Sequence, residues 1–542
     1  MVTDRDLQSI NERLAAFERD TPAFMNRQPE KEVIEGFTGD SVTPLAGMRT
    51  DNAFVSAHDS LRQQTLAQGS RISARAVAGA ADNPASLVDN LRYNKLAEMA
   101  EKGLLQASLS ETPWSDDYWG FYKGVLGARY ADPDFPEADD WKKNQDYVLA
   151  NPVRTILASN SATRINQLSP AEKYDALMGD DSFSLTAAMW QEGKRYYDSQ
   201  GSVESWMGIC HGWAPAAYML DRPVRPVTLV TPANVPIKFF PADIKALASL
   251  LWANAAPRTR FIGGRCNDKE PEVDQPTGRV ISERCFDTNP GSWHVAVVNQ
   301  VGVAQRSMVL DVTFDYEVWN QPVYAYEYVY FNPQTRKATR SLAEATVKLA
   351  DFSNDRFSRF RSTTTRSVVG ISMKVQYVVE TYPRQREEDS PAYDALHAVT
   401  YEYDLELDEN DVIIGGEWYL NKHPDFLWTP PRGARAETRF EGLASGSWTN
   451  PRQPVPQGWR SAAPQAASQQ HAPLAKVVEQ LIAFANADSS TGTGGSTGTG
   501  GSTGTGGSTG TGGTTTTPTD NRSPMTRLMD FLRNLFSGVF RN

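Results

Sequence analysis

The sequence predicts an α+β fold, and three observations carry that reading. Helical spacings of apolar residues dominate the stretch before residue 205. Runs rich in β-branched and aromatic residues dominate the stretch after 225. Between them lies Gly208-Ile209-Cys210-His211-Gly212-Trp213, a cysteine at the head of a short apolar segment that reads as a helix. Helices followed by strands, rather than the two in alternation, indicate an α-rich half and a separate antiparallel sheet. At 542 residues the chain exceeds a single core, and roughly two or three domains are expected.

Residues 4–20 carry Leu7, Ile10, Leu14 and Phe17 at helical spacing, with Asp4 as a cap. Residues 21–85 mix Pro, Gly, Ser and Ala without a long period and read as loosely ordered. Helical spacing returns from Leu87 to Leu109. The aromatic run Trp114, Tyr118, Trp119, Phe121, Tyr122 reads as core, because such rings bury large apolar areas. Ser115 and Asp116 would start a helix reaching Arg129. Residues 170–200 read as two more helices.

Cys210 follows at a predicted helix start, with Pro215 taken to lie in the first turn, where proline is tolerated. Free N–H groups and the dipole at such a site favour the thiolate, which is the nucleophilic form. The competing reading is a buried structural thiol acting as a small hydrophobe.

Beyond it, Val227–Val230 reads as a strand and Ala242–Trp252 as a helix. Two strands follow, Trp293–Val298 and Met308–Val312, with a turn at Asn299, Gln300 and Gly302. A hairpin centred on Gly302 and Val303 would set His294 opposite Asp311, and opposed residues share a face. The carboxylate would then hold one imidazole nitrogen and fix the tautomer. Alternation predicts strands at Tyr324–Tyr330 and Ile371–Val379, and a hairpin joins Tyr401–Leu407 to Val412–Trp418. Residues 429–470 read as an extended connector, and Leu474–Ile482 as a short amphipathic helix. The Gly/Ser/Thr repeat at 489–517 has too little apolar surface to fold and would reach on the order of 30 Å as a coil. Residues 524–541 carry Leu528, Phe531, Leu535 and Phe536 among Arg527, Arg533 and Arg541. This basic amphipathic helix is suited to a membrane surface, a partner groove or the parent domain itself.

The net charge of −11 argues against a broad nucleic-acid-binding face. Met1–Asp20 has no apolar core of a secretory signal, and no stretch is long and apolar enough to span a bilayer. The three cysteines parse as a pair, Cys266 and Cys285, plus one free thiol, Cys210. A disulfide closing the 266–285 loop would contribute roughly 3 kcal/mol, and two reduced thiols are the alternative. Zinc is not expected, because no second Cys or His pair lies at ligand spacing. Asp268, Glu270, Glu272 and Asp274 lack the order of a calcium loop, so a solvated loop is expected and calcium stays the alternative. No cofactor is expected otherwise.

Thiol-based acyl transfer needs a nucleophile, a base and a group orienting the base. The chain presents Cys210, His294 and Asp311 in that order, with Asp287 as an alternative third member. The stretch from Trp206 to Ala216 resembles the active-site segment of the transglutaminase elicitor family, named for the secreted wall transglutaminase of oomycete plant pathogens. The stretches Leu168–Asp175, Asp243–Leu247, Asn289–His294, Glu317–Val323 and Gly415–Trp418 are similar too. The resemblance spans about 111–430 and implies a papain/transglutaminase-like catalytic domain, helical over 111–205 and holding the cysteine helix and sheet over 206–430. Flanking it would be a helical, partly loose region (1–110), a connector with a short helix (431–488), the flexible repeat (489–519) and the basic helix (520–542).

The resemblance also implies a protein-glutamine γ-glutamyltransferase. Cys210 would take the acyl group, His294 would act as base and acid, and Asp311 would orient the imidazole. Beside the resemblance, the backbone N–H of Cys210 and the indole N–H of Trp206 are candidate oxyanion donors, and Trp213 and Trp293 candidate shields of the thioester, with plain core packing as the competing reading of each tryptophan. Partners would be proteins with accessible glutamine and lysine, or polyamines. Action outside the cytoplasm is expected, without a visible signal peptide. The rival readings are a deamidase or peptidase with the same triad, and a non-enzymatic elicitor or adhesin.

Overall fold

Alternating apolar residues build one large antiparallel sheet, and a helical layer carrying the cysteine packs at its end. The computed structural model describes residues 3–42, 45, 82–264, 271–282, 285, 287–312 and 319–487. Helices of eight residues or more are α1 Asp4–Arg19, α2 Trp141–Ala150, α3 Pro170–Met178, α4 Ser184–Gln200, α5 Cys210–Met219, α6 Pro241–Ala255, α7 Pro290–Val297, α8 Gln457–Gln470 and α9 Ala475–Asn486. The strands are β1 Glu30–Val33, β2 Gln106–Ser108, β3 Val227–Val230, β4 Pro236–Phe239, β5 Arg260–Gly263, β6 Val309–Asp311, β7 Asn320–Asn332, β8 Lys337–Thr339, β9 Thr346–Lys348, β10 Ser367–Val379, β11 Ala395–Leu407, β12 Ile413–Trp418 and β13 Phe426–Thr429.

The main sheet runs β1-β11-β10-β7-β6-β13-β5, with β12 on β11, β2 and β8 on β7, and β9 on β10. Its spine is β10, paired with β11 from Ser367↔Leu407 to Val379↔Ala395 and with β7 from Gly370↔Phe331 to Tyr377↔Val323. The tyrosine alternation on β7 places Tyr326, Tyr328 and Tyr330 in one buried layer with Met373, Tyr401 and Tyr403, under Trp293 of α7. A second core joins α3, α4, α5, α6, α8 and α9 through Trp213, Trp252, Trp459 and Leu481. The expected fold class is the observed one.

Helices α3, α4 and α6, strand β3, the long strands and the β11–β12 hairpin lie where the spacing put them. Other expectations need correction. The cap of α1 is Thr3, not Asp4: its hydroxyl accepts from Asp6 N–H while Asp6 reaches back, a reciprocal box. Of Leu87–Leu109 only Leu96–Glu101 is α-helical. Residues 115–129 form no continuous α-helix, only the short 3-10 turns Phe121–Lys123 and Val125–Gly127, because tertiary partners take the polar groups that would have capped one. Ser115 N–H donates to Asp394 and its hydroxyl to the Val379 carbonyl, while the Ser249 hydroxyl donates to Asp116. Residues 293–298 form no strand. Asn289 caps Gly291 N–H and Pro290 sets the first turn, so the apolar run starts α7 instead. An unbroken apolar run buried on all sides has no period to separate strand from helix. The hairpin that set His294 opposite Asp311 is therefore absent.

The connector also changes character. Residues 457–470 form α8, whose small residues Ala462, Ala463, Ala466 and Ala467 are buried in the helical core. Pro464 sits inside this helix, as Pro215 sits inside α5 rather than in its first turn. The repeat and the basic 524–541 segment lie outside the described residues, as does Cys266, and with it the expected Cys266–Cys285 bond.

Helices α5 and α6 approach through Gly212. A Cβ there would lie 2.2 Å from the Ser249 carbonyl oxygen and 2.5 Å from Ala253 N. Both atoms are backbone, so α6 would have to retreat. Gly212→Ala is expected to lower stability by about 1–3 kcal/mol, because overpacking outweighs the gain in helix propensity of about 1 kcal/mol. Urea unfolding measures this, and equal or raised stability would contradict the close approach.

Candidate functional site

The site is built where the first turn of α5 meets the adjacent strands β7, β6 and β13. The chain enters α5 through Gly208, which bridges Gly120 and passes so close to the Tyr118 ring that a Cβ would sit 3.0 Å from it. Cys210 is the first residue of the helix, and no side chain caps the N-terminus. It is in no disulfide and only 9% exposed.

Asn320, the first residue of β7, faces the sulfur: its Nδ2 donates to Cys210 Sγ at 3.7 Å. Its Oδ1 accepts from Trp428 Nε1 at 2.9 Å. Trp428 belongs to β13 and pairs with Val309, while Asp311 pairs with Asn320, so register brings three strands to one sulfur. Asp311 is fully buried and its Oδ1 accepts the Trp319 N–H at 3.0 Å. Trp319 stacks on Tyr118 with ring centroids 5.7 Å apart. Just past β10, the buried Glu380 accepts from Gln321 Nε2 at 3.1 Å.

These surroundings act in opposite directions on the thiol. Burial is the strongest influence and the negative charge of Glu380 the next; with that of Asp311 they push the Cys210 thiol up to about 12, against the N–H groups of Asn320. A helix N-terminus contributes about 0.3–1 kcal/mol, too little to reverse this. The resting group is the thiol. Alkylation of Cys210 by iodoacetamide is therefore expected to be slow at pH 7 and to keep rising with pH through pH 10, the thiolate being the reactive species. A plateau below pH 8, followed by peptide mapping of the label, would contradict this.

His294 belongs to the core beneath the main sheet. It is on α7, fully buried, with Nδ1 hydrogen-bonded to the Tyr403 hydroxyl at 2.9 Å. Its ring meets the edge of Tyr328 at 4.7 Å. Nε2 has no hydrogen-bond partner among the described residues. Burial pushes its pKa down to about 3, so the imidazole is neutral. The hydrogen-bond partner of His294 is thus a phenol, and neither Cys210 nor Asp311. The cross-strand pairing expected to set Asp311 opposite His294 is absent: Asp311 pairs with Asn320 instead, and its charge acts on Cys210. The cause is the helix at 290–297, which removes the cross-strand pairing that would have joined them.

The tryptophans are placed as follows. Trp206 Nε1 donates to Glu204 Oε2 at 2.5 Å, so this N–H is directed at a carboxylate. Trp213 Nε1 donates to the Trp114 carbonyl at 2.9 Å, and the ring is packed between helices. Trp293 packs edge-on against Tyr401 at 5.6 Å under the sheet. Asp287 is half-buried in the loop ahead of α7. Asp274, one of the acidic residues of the 266–285 loop, is engaged by Arg359 and by the Thr277 hydroxyl. Sequence reasoning missed Asn320, Gln321, Glu380 and Trp428. Asn320 and Gln321 lie within a stretch already singled out by resemblance, so a signal was present; for Glu380 there was none.

The family model described as transglutaminase elicitor matches residues 90–443, more than half of the chain. No curated protein matches the sequence. Among solved structures, the GP42 transglutaminase from Phytophthora sojae is similar, with 23% identity and a TM-score of 0.42, over 62% of this chain and 86% of that one.

Proposed function

Since this chain belongs to the transglutaminase elicitor family, we propose that it transfers the γ-glutamyl group of a protein glutamine to an amine through Cys210. The observation that carries this is the placement of a cysteine thiol as the first residue of a helix with an amide N–H of Asn320 donated to its sulfur. The Cys210 thiolate would attack the glutamine side-chain carbonyl. A C–S bond forms, the C–N bond breaks, and ammonia leaves with the thiol proton. An amine then attacks the thioester, forms a C–N bond, loses a proton and regenerates the sulfur. The acceptor is a lysine or a polyamine; water in its place gives deamidation.

His294 is the base on family resemblance. For that role its Nε2, which has no hydrogen-bond partner among the described residues, has to reach Cys210 Sγ, and the imidazolium so formed would be favoured by the negative charge of Asp311, which also acts on the sulfur. One observation favours a second reading, recognition without catalysis as an elicitor: His294 is engaged by Tyr403. Incubation with dimethylated casein and a fluorescent primary amine separates these readings. Amine incorporation supports the transferase. Ammonia release without incorporation identifies a deamidase, and neither product leaves the elicitor.

A further inference from the structure

We infer that Asn320 is a catalytic residue that holds the Cys210 thiolate by hydrogen bonding, and that Trp428 is the positioning residue that aims it. The catalytic meaning of this contact rests on the acyl-transfer reading above.

A carboxamide has two faces, one donating and one accepting. With the oxygen toward Cys210, the amide would repel a thiolate; with the nitrogen toward it, the amide stabilises one. Trp428 decides between them. Its indole N–H can only donate, so it demands Oδ1, and it lies 2.9 Å from that atom. Trp428 is 1% exposed and Asn320 4%, so water does not compete for either group. The remaining amide nitrogen is thereby fixed at 3.7 Å from Sγ. The backbone N–H of Asn320 acts on the sulfur in the same sense.

The local charges explain why such a donor is needed. Glu380 and Asp311 both disfavour negative sulfur, and burial reinforces them. Hydrogen bonds to an ionised group are about twice as strong as neutral ones, so the Asn320 contact strengthens when Cys210 ionises. An interaction that grows with the charge on the reacting atom is one that lowers a barrier rather than only binding the ground state. The strands make the geometry rigid. Asn320 is held by pairing with Asp311, and Trp428 by pairing with Val309 on the same β6 strand.

The test follows iodoacetamide alkylation of Cys210 against pH, located by peptide mapping, in the full chain. Asn320→Leu keeps the side-chain size and removes the amide. It is expected to slow alkylation at a fixed pH of 9 by about tenfold and to displace the profile to higher pH. Trp428→Phe leaves Asn320 in place but frees its orientation, and it should displace the profile the same way by a smaller factor. Asn320→Asp adds a carboxylate and should slow alkylation more than leucine does. Should Asn320→Leu not fold, Trp428→Phe decides alone. Profiles superimposable on the wild type in every folded variant would overturn the inference, even with amine incorporation intact. Displaced profiles in a wild-type chain that incorporates no amine would leave the thiolate contact standing and remove the acyl-transfer reading instead.

Discussion

Cys210→Ala is expected to abolish amine incorporation, with a loss on the order of 10⁴-fold or more. Deleting the nucleophile of a catalytic unit typically costs about 10⁴–10⁶-fold in turnover, about 5–8 kcal/mol of transition-state stabilisation. The substitution suits the question because alanine is smaller and apolar in a position only 9% exposed. The change in folding stability should stay near 1 kcal/mol, as for other small losses of buried volume. Loss of activity with a normal urea midpoint would thus locate the effect in the sulfur. Full activity in the alanine variant would end the thioester mechanism. If recognition by a responding host tissue survives the substitution while turnover is lost, elicitor behaviour and catalysis are separate properties of this surface.

Asp243→Ala carries the largest expected loss of stability, about 3–5 kcal/mol. Asp243 sits in the first turn of α6, where its Oδ2 accepts the Phe240 N–H at 2.8 Å and the Lys173 ammonium at 2.6 Å. Its Oδ1 accepts from the Tyr130 hydroxyl at 3.1 Å. Both charged side chains have no exposure at all. Burial is the strongest influence on each, pulling the Lys173 pKa down and the Asp243 pKa up. Removing the carboxylate strands an ammonium where water cannot reach it, and also removes a helix cap. Since α6 packs against α5 through Gly212, the damage should reach Cys210 and appear as lost activity too. The double variant Lys173→Met with Asp243→Leu is expected to recover most of the stability, because well-packed apolar pairs often replace buried ion pairs without loss. A single variant as stable as the wild type in urea would show that the pair is not holding α3 to α6.

How much could be read in advance follows from which signals are local. Ser169, Pro170 and Glu172 announce α3 within four residues, and the reciprocal box between Ser169 and Glu172 is present. Tyr324 to Tyr330 and Ile371 to Val379 announce their strands because one face alternates with the other along the chain itself. Cys210 was recognisable by its wording and by its place at a helix start, and both features survive in three dimensions. Val295, Ala296, Val297 and Val298 gave no such guidance. All four are buried, so neither period is visible, and Asn289-Pro290 upstream decided for helix.

By itself, then, the sequence determined the α+β class, the long strands, the nucleophile candidate and the family, because periodicity, capping and motif wording act over a few neighbouring residues. Only the tertiary structure decided which groups surround the sulfur. Asn320 reaches Cys210 from 110 positions away and Trp428 reaches Asn320 from 108, while His294 is claimed by Tyr403. Such partnerships depend on strand register and on the direction of each side chain, and those quantities exist only once the sheet has closed against the helices.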